Sequence, residues 1–293
     1  MSPKAAAVGA YGFSVVGLAE HQSALLNPVP ETWPLLTVET VTGPNPATHR
    51  YVVGDDYAEY CTLDQTGQKG GMQLIRHPLV ARFTSPSGFS PDAMIHPDLG
   101  VIGAIASRWQ GRHVFHAGAF VANGRAWILI GHKEAGKSSL LGQLAAREVE
   151  ILADDAVVID ETGAVLIGPR CIDLREGAAA RLALGTDIGL VGTRRRWRVS
   201  LPSGPAEVPL GGWVVPSWGD TIAVDAVPLA ERPPLLLGHR YLEHLVPPHP
   251  AQVLSLAARP VLRFGRPRRW QVADRAADAL LEAVRHADRR LVV

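Results

Sequence analysis

Apolar positions along this chain follow two patterns that meet near residue 97. Before that point they form short runs rich in β-branched and aromatic residues: Leu35 to Val41, Arg50 to Val53, Tyr57 to Leu63, Gly71 to Ile75 and Val80 to Phe83. Clusters of Gly, Pro, Asn and Asp separate the runs, which predicts strands of a small, mostly antiparallel sheet. Tyr11 to Val16 reads as its opening strand. Beyond the boundary, Leu99, Ile102, Ile105, Ala106 and Trp109 recur at helical spacing and predict a helix from about Pro97 to Trp109. The expected organisation is a β-rich N-terminal domain over 1–96 and a second domain over 97–293.

The second part alternates strands and helices. His113 to Ala122 and Ala126 to Ile130 flank Asn123-Gly124, a hairpin signal because both turn residues tolerate positive φ. Leu140, Leu141 and Leu144 mark a helix, and Val149 to Ala153, Ala156 to Asp160 and Ala164 to Ile167 mark three further strands. Gly212 to Val215 and Thr221 to Val224 look like a strand pair across Pro216 to Asp220. Helices at about Pro234 to Leu245 and Ala251 to Ala258, a strand at Val261 to Phe264 and a closing helix at Val272 to Ala287 complete the reading.

Candidate chemistry concentrates after the hairpin. Gly131, His132, Lys133, Glu134, Ala135, Gly136, Lys137 and Ser138 fit G-x-x-x-x-G-K-[ST], with Ser139 next in the helix. In such a phosphate-cradling loop the backbone N–H groups turn inward around a polyphosphate, the Lys reaches the β- and γ-phosphates and the Ser hydroxyl binds Mg²⁺. The apolar strand before the loop and the helix after it are the context this motif requires. The strand ending in Asp154-Asp155 has the general form of the acid that helps hold Mg²⁺ in such sites. Two adjacent acids point in opposite directions, so one suffices for a metal, and a turn or capping role is the plainer alternative for either.

The net charge of +1 gives no global pull toward nucleic acid or anionic membrane. With 47% hydrophobic residues over 293 positions there is enough apolar surface for one large core or two modest ones. Cys61 and Cys171 make no metal-ligand pair; they could form one disulfide, but read rather as free buried thiols in a reducing cytosol. Ala5 to Ala19 is apolar, follows Lys4 and ends in small residues like a secretory signal, whereas an ATP site argues for the cytoplasm. No other stretch is long and apolar enough to span a membrane. His21, His49, His77 and His96 are scattered and read as solvated or structural. Gly192 to Arg198 sets four arginines around Trp197, which suits a phosphate, an acidic peptide or nucleic acid as well as a solvated turn before a strand at Val199 to Leu201; in a kinase, substrate or nucleotide contact is favoured over nucleic acid. Arg263, Arg266, Arg268 and Arg269 form a second basic cluster, which suits an approach to the nucleotide as well as plain surface.

His116-Ala-Gly before the hairpin, the loop Gly131 to Ser138, Leu152-Ala-Asp-Asp155 and Ile172-Asp-Leu-Arg175 occur in an order that resembles the catalytic domain of HPr kinase/phosphorylase and related kinases. The resemblance implies an α/β P-loop kinase core of the HPr kinase and phosphoenolpyruvate carboxykinase type, with a mixed sheet, here preceded by the small β-rich domain. It implies that Asp154 orients or deprotonates the acceptor hydroxyl, that Ser138, Asp155 and Asp173 lie at the metal, that His116 favours the charged form of the carboxylate pair, and that Arg175 neutralises transferred phosphate. The chain departs from that family after Arg175, where Glu-Gly-Ala-Ala-Ala replaces a Gly-rich signature, and at Glu134, where glycine is usual.

The expectation is therefore a kinase using ATP and Mg²⁺ to phosphorylate a hydroxyl of a peptide, a protein serine or a small metabolite. Nucleic acid and membrane are not expected partners, and homo-oligomerisation is open. The alternative is a nucleotide-dependent regulatory switch or binding module that hydrolyses ATP slowly.

Overall fold

In the computed structural model, which describes residues 6–45, 51–63, 69–241 and 250–289, the runs up to Ser85 pair into one eight-stranded sheet. Its order is Asn27–Pro28, Val8–Ala10, Phe13–Val16, Leu35–Thr42, Val80–Ser85, Lys69–Ile75, Tyr57–Leu63 and Tyr51–Val53. Neighbours are antiparallel except at Leu35–Thr42, which runs parallel to the strands on both sides. Tyr11 and Gly12, at φ 58° and 83°, form the turn of the first hairpin, so the strand expected from Tyr11 begins at Phe13. His49, Arg50, Lys4 and the end of the helix expected to reach Leu245 lie outside the described residues.

The helix Leu99–Trp109 crosses from this sheet to a second one. It lies close against Tyr11, for a Cβ at Gly103 would come 2.5 Å from that ring. The second sheet runs Ile151–Ala153, Ala117–Ala122, Arg125–Ile130, Glu207–Trp218, Ala164–Leu166, Val157–Ile159 and His113–Phe115, with Val261–Arg266 and Ala223–Ala226 branching from Glu207–Trp218. The Asn123-Gly124 turn forms, with φ of 51° and 70°. The expected pairing across Pro216 to Asp220 does not. Val261–Arg266 lies between the two strands, parallel to the first and antiparallel to the second, and its buried Val261, Leu262 and Phe264 fill both faces. A local turn signal cannot reveal a strand that enters the gap from forty residues downstream.

Strand Arg125–Ile130 shows why its sequence is apolar without alternation. Ala126, Ile128 and Ile130 join the core that also contains Phe13, Phe83, Ile105 and Trp213, while Trp127 and Leu129 join a second core. A strand covered on both faces needs apolar side chains at every position. The first core is continuous across residue 97, uniting the eight-stranded sheet, Leu99–Trp109 and one face of the large sheet. The second packs Lys137–Ala145 and Ala273–Arg289 on the opposite face through Leu140, Leu141, Ala276, Leu280 and Val284. Fully burying an aromatic side chain such as Trp127 stabilises the fold by about 3 kcal/mol.

A third, three-stranded antiparallel sheet has the order Cys171–Leu174, Arg194–Ser200 and Thr186–Val191. The arginine run is thus strand rather than turn. The chain is a mixed α/β protein, Cys61 and Cys171 are unbridged, and no helix among the described residues is long and apolar enough to cross a membrane.

Candidate functional site

Two neighbouring stretches of the large sheet break at the same level. The strand expected over 113–122 is interrupted at His116, and the stretch over 151–159 is interrupted at Asp154 to Ala156. Phe115 faces Val157 on one side of the break, and Ala119 faces Ala153 on the other. Within the break Asp155 adopts left-handed backbone, φ 71°, a conformation that costs about 1 kcal/mol and that Asp tolerates better than most residues. The two carboxylates diverge as a result. Asp154 is buried, and its Oδ1 accepts hydrogen bonds from Ser138 Oγ at 3.1 Å and from the Asp155 N–H at 3.0 Å. The Asp155 carboxylate is partly open to solvent, with Oδ1 3.3 Å from His116 Nδ1. That nitrogen also lies 3.0 Å from the Asp155 carbonyl oxygen. Burial pushes the Asp154 carboxyl up to about 6 against the opposing pull of His96. Burial also lowers the His116 pKa, with Asp155 opposing.

Ser138 reaches Asp154 because of what precedes it. Strand Arg125–Ile130 delivers the chain to the loop from Gly131 to Gly136, and helix Lys137–Ala145 begins directly after Gly136, whose φ is 79°. Lys137 is 8% exposed and donates from Nζ to the Gly131 carbonyl at 2.6 Å and to that of His132 at 3.3 Å. Burial lowers its pKa, and Asp154 and Asp155 work against that. Lys133, Glu134 and Ser139 line the same cavity. Glu134 meets Arg175, with Oε1 3.4 Å from both terminal guanidinium nitrogens. The His132 ring packs edge-on against His239, 5.1 Å between centroids.

Asp173 and Arg175 lie at the end of Cys171–Leu174 and just beyond it. Both Asp173 oxygens are engaged: Arg198 donates to Oδ1 at 2.8 Å and to Oδ2 at 2.9 Å, and His96 Nδ1 lies 3.2 Å from Oδ2. Burial alone would raise the Asp173 carboxyl; Arg198 and His96 outweigh it and hold the group well below the usual carboxylate range. His96, expected among solvated or structural histidines, is buried where extended backbone (φ −153°, ψ 118°) interrupts the helical turns before Leu99. Burial opposes its charging, but Asp173 raises its pKa overall. Two residues on, Asp98 is also buried and lines the cavity, its Oδ2 has no hydrogen-bond partner among the described residues, and burial pushes its carboxyl up to about 7.

These groups surround one cavity of about 1420 Å³. Its lining includes Asp154, Asp155, His116, Asp98, Tyr241 and, from the eight-stranded sheet, Tyr60 and Cys61, together with Ser139, Gln143, Arg266, Arg268, Arg269 and Trp270. Arg194 and Arg196 also line it, while the intervening Arg195 pairs with Asp187. Positions 194, 196 and 198 share one side of the strand by its two-residue period. Of the candidate residues, Lys133, Glu134, Gly136, Lys137, Ser138, Ser139, Asp154, Asp155, His116, Asp173 and Arg175 line this cavity, whereas Gly131, His132 and Ala135 do not. Sequence reasoning missed His96 and Asp98, which only their place beside a proline could have singled out, and it left Tyr241 unmarked.

The oxygen donors suit a hard cation that keeps part of its water, as Mg²⁺ does. Ser138 Oγ and the outward Asp155 carboxylate are accessible from the cavity, whereas Asp173 is taken up by Arg198 and His96. Among the described residues no group of three or more His, Cys, Asp or Glu side chains is arranged around a common metal position, so phosphate oxygens would have to supply part of any coordination sphere.

No protein-family model matches the chain, and no curated protein matches it. Among solved structures, the HPr(Ser) kinase/phosphatase from Coxiella burnetii is similar at 12% identity and a TM-score of 0.32, over 61% of this chain and 99% of that one. At that distance the function rests on the geometry of the site.

Proposed function

We propose that the chain is a P-loop kinase of the HPr-kinase-related type that uses ATP and Mg²⁺ to phosphorylate a hydroxyl group. The observation that carries this reading is the 3.1 Å contact between Ser138, at the start of the loop's helix, and the buried Asp154. It couples a loop of phosphate-binding sequence to a carboxylate suited to an acceptor, and phosphoryl transfer asks mainly for positioning, charge neutralisation and such a base.

In this scheme the Gly131 to Gly136 backbone and Lys137 hold the polyphosphate. Ser138 and Asp155 would hold Mg²⁺, which would supply neutralisation of phosphate charge. Asp154 accepts the hydroxyl proton as the new O–P bond forms and ADP leaves. His116, against Asp155, fixes that carboxylate's orientation. Arg175 neutralises the transferred group once it exchanges Glu134 for phosphate. Asp173 serves to anchor His96 and Arg198 beside the carboxylates. Tyr60, Tyr241 and Asp98 line the same cavity as Asp154 and serve to receive the acceptor; a peptide, a protein serine or a small hydroxylated metabolite all carry the required group.

The test is phosphate transfer from γ-labelled ATP with Mg²⁺ to candidate hydroxyl acceptors, read as a mass shift. Lys137→Ala should abolish transfer, and Asp154→Asn should lower it by a factor of about 10²–10⁴ while ATP still binds. Undiminished transfer by purified Asp154→Asn protein would remove the base assignment. The Glu134–Arg175 pair favours a second reading, a nucleotide-dependent switch, because it occupies the arginine that transfer needs. ATP turnover indifferent to every hydroxyl acceptor but altered by a protein partner would select it.

A further inference from the structure

Three consecutive carbonyls of the loop are taken by two side chains from far along the chain. Trp218 Nε1 donates to the Glu134 carbonyl at 3.0 Å, and one arm of Arg266 (Nη2) donates to those of Ala135 and Gly136 at 3.2 Å each. The two donors are register partners on the parallel strands Glu207–Trp218 and Val261–Arg266. Their side chains stack, with the guanidinium carbon 4.5 Å from the centre of the Trp218 ring and 5.1 Å from that of Phe264.

This clamp explains why the sixth loop position is glycine. A Cβ on Gly136 would lie 2.7 Å from Arg266 Nη2 and 2.9 Å from the Trp218 ring, at a φ of 79° that already disfavours a side chain. It also orients the loop. In a trans peptide the N–H lies opposite the carbonyl, so fixing the Ala135 and Gly136 carbonyls toward the clamp directs the Gly136 and Lys137 N–H groups away from it.

The second arm of the guanidinium is unaccounted for. Arg266 is 7% exposed and lines the cavity, and among the described residues no carboxylate forms an ion pair with it and Nη1 is buried without a hydrogen-bond partner. A cation in that position is costly unless an anion joins it, and burial has already lowered its pKa to about 10. Arg263, three residues earlier, is spent elsewhere, on exposed Glu231 at 2.6 Å.

We propose that Arg266 is a polyphosphate-binding residue of the nucleotide site: Nη2, with Trp218, sets the loop, and Nη1 takes a phosphate oxygen of the bound nucleotide. This rests on the kinase reading and extends it to a residue well over a hundred positions from the loop. Arg is suited to the task because its planar fork can serve two sets of acceptors at once, which Lys cannot.

The experiment is calorimetric titration of the full chain with ATP and with inorganic pyrophosphate, for wild type, Arg266→Met, Arg266→Lys and Trp218→Phe. Arg266→Met should weaken both ligands at least about tenfold, the size of one charge-assisted hydrogen bond. Arg266→Lys should recover part of the loss, and Trp218→Phe, which keeps the ring and removes the donor, should weaken both ligands by a smaller and similar factor. If Arg266→Met does not fold, Arg266→Lys carries the test, and wild-type affinity for both ligands in that variant overturns the proposal. A loss for ATP without one for pyrophosphate also overturns it, because Arg266 would then contact the nucleoside. Wild-type protein that binds neither ligand overturns the kinase reading itself, an outcome distinct from wild type that binds both while the Arg266 variants are unaffected.

Discussion

His96 and Asp173 meet at 3.2 Å although 77 positions separate them, and their side chains are 4% and 0% exposed. Through this contact the segment before Leu99 reaches the three-stranded sheet. Arg198 completes the cluster by donating also to the Asp92 side chain at 2.9 Å and to the Asp92 carbonyl. Residues from both sides of position 97 thus build one polar floor beneath the cavity.

Arg198→Met should destabilise the fold by about 3–5 kcal/mol, because it leaves the buried Asp173 carboxylate with His96 alone. Denaturant titration at pH 7 measures this. The sign with pH follows from Asp173: its folded pKa is depressed, so its stabilisation is present above the unfolded value near 4 and is lost as pH falls below that. The gap between wild type and Arg198→Met should therefore narrow in acid.

Asp98 works in the opposite direction. Its folded carboxyl titrates at about 7 against an unfolded value near 4, so the folded state holds an extra proton between those limits and stability falls as pH rises through them. The total is a few kcal/mol. Asp154 has a similar but narrower window that closes near pH 6. The fall between pH 6 and 7 should accordingly be smaller in Asp98→Asn, as read from unfolding free energies of the two proteins across that range, and the remainder belongs to His96, whose raised pKa gives a loss of the same sign as pH rises.

For transfer, Asp154 must be ionised. The value of about 6 belongs to the protein without bound nucleotide, so kcat/KM for ATP should rise with pH through about 6 and then level off, and its pH dependence measures this. A plateau reached already at pH 5 would contradict Asp154 as the base.

Glu134→Gln should tighten pyrophosphate binding by about two- to fivefold, since it frees Arg175 and removes an acid from the loop. The effect is small because both side chains are more than half exposed and screened by water. Tighter binding should shrink further as salt is added.

The parts of this site that sequence revealed are those encoded by neighbours in the chain. The loop announces itself by two glycines and a Lys-Ser pair between a strand and a helix, and Asp154-Asp155 follow within one strand length. The Asn123-Gly124 turn is equally local. The rest depends on pairing between distant segments. Arg198 sits in a run of arginines that looks alike residue by residue, and only the two-residue period of a strand separates buried Arg198 from Arg195 on Asp187. Arg266 could not be told from Arg263 until Val261–Arg266 was found inserted beside Glu207–Trp218, because that insertion sets its side chain against the loop.

Strand Arg125–Ile130, fastened on both faces by separate cores, has a kinetic meaning for the loop it feeds. Amides at Ile128 and Leu129 lie where opening requires the whole sheet to come apart, so they should exchange with solvent only through global unfolding. Gly131 therefore departs from a fixed mooring, while the groups at the cavity mouth, Glu134 and Arg175, are solvent-exposed side chains that reorient within nanoseconds. Admission of a ligand thus falls on side-chain rotation at the mouth, with the backbone beneath already in place.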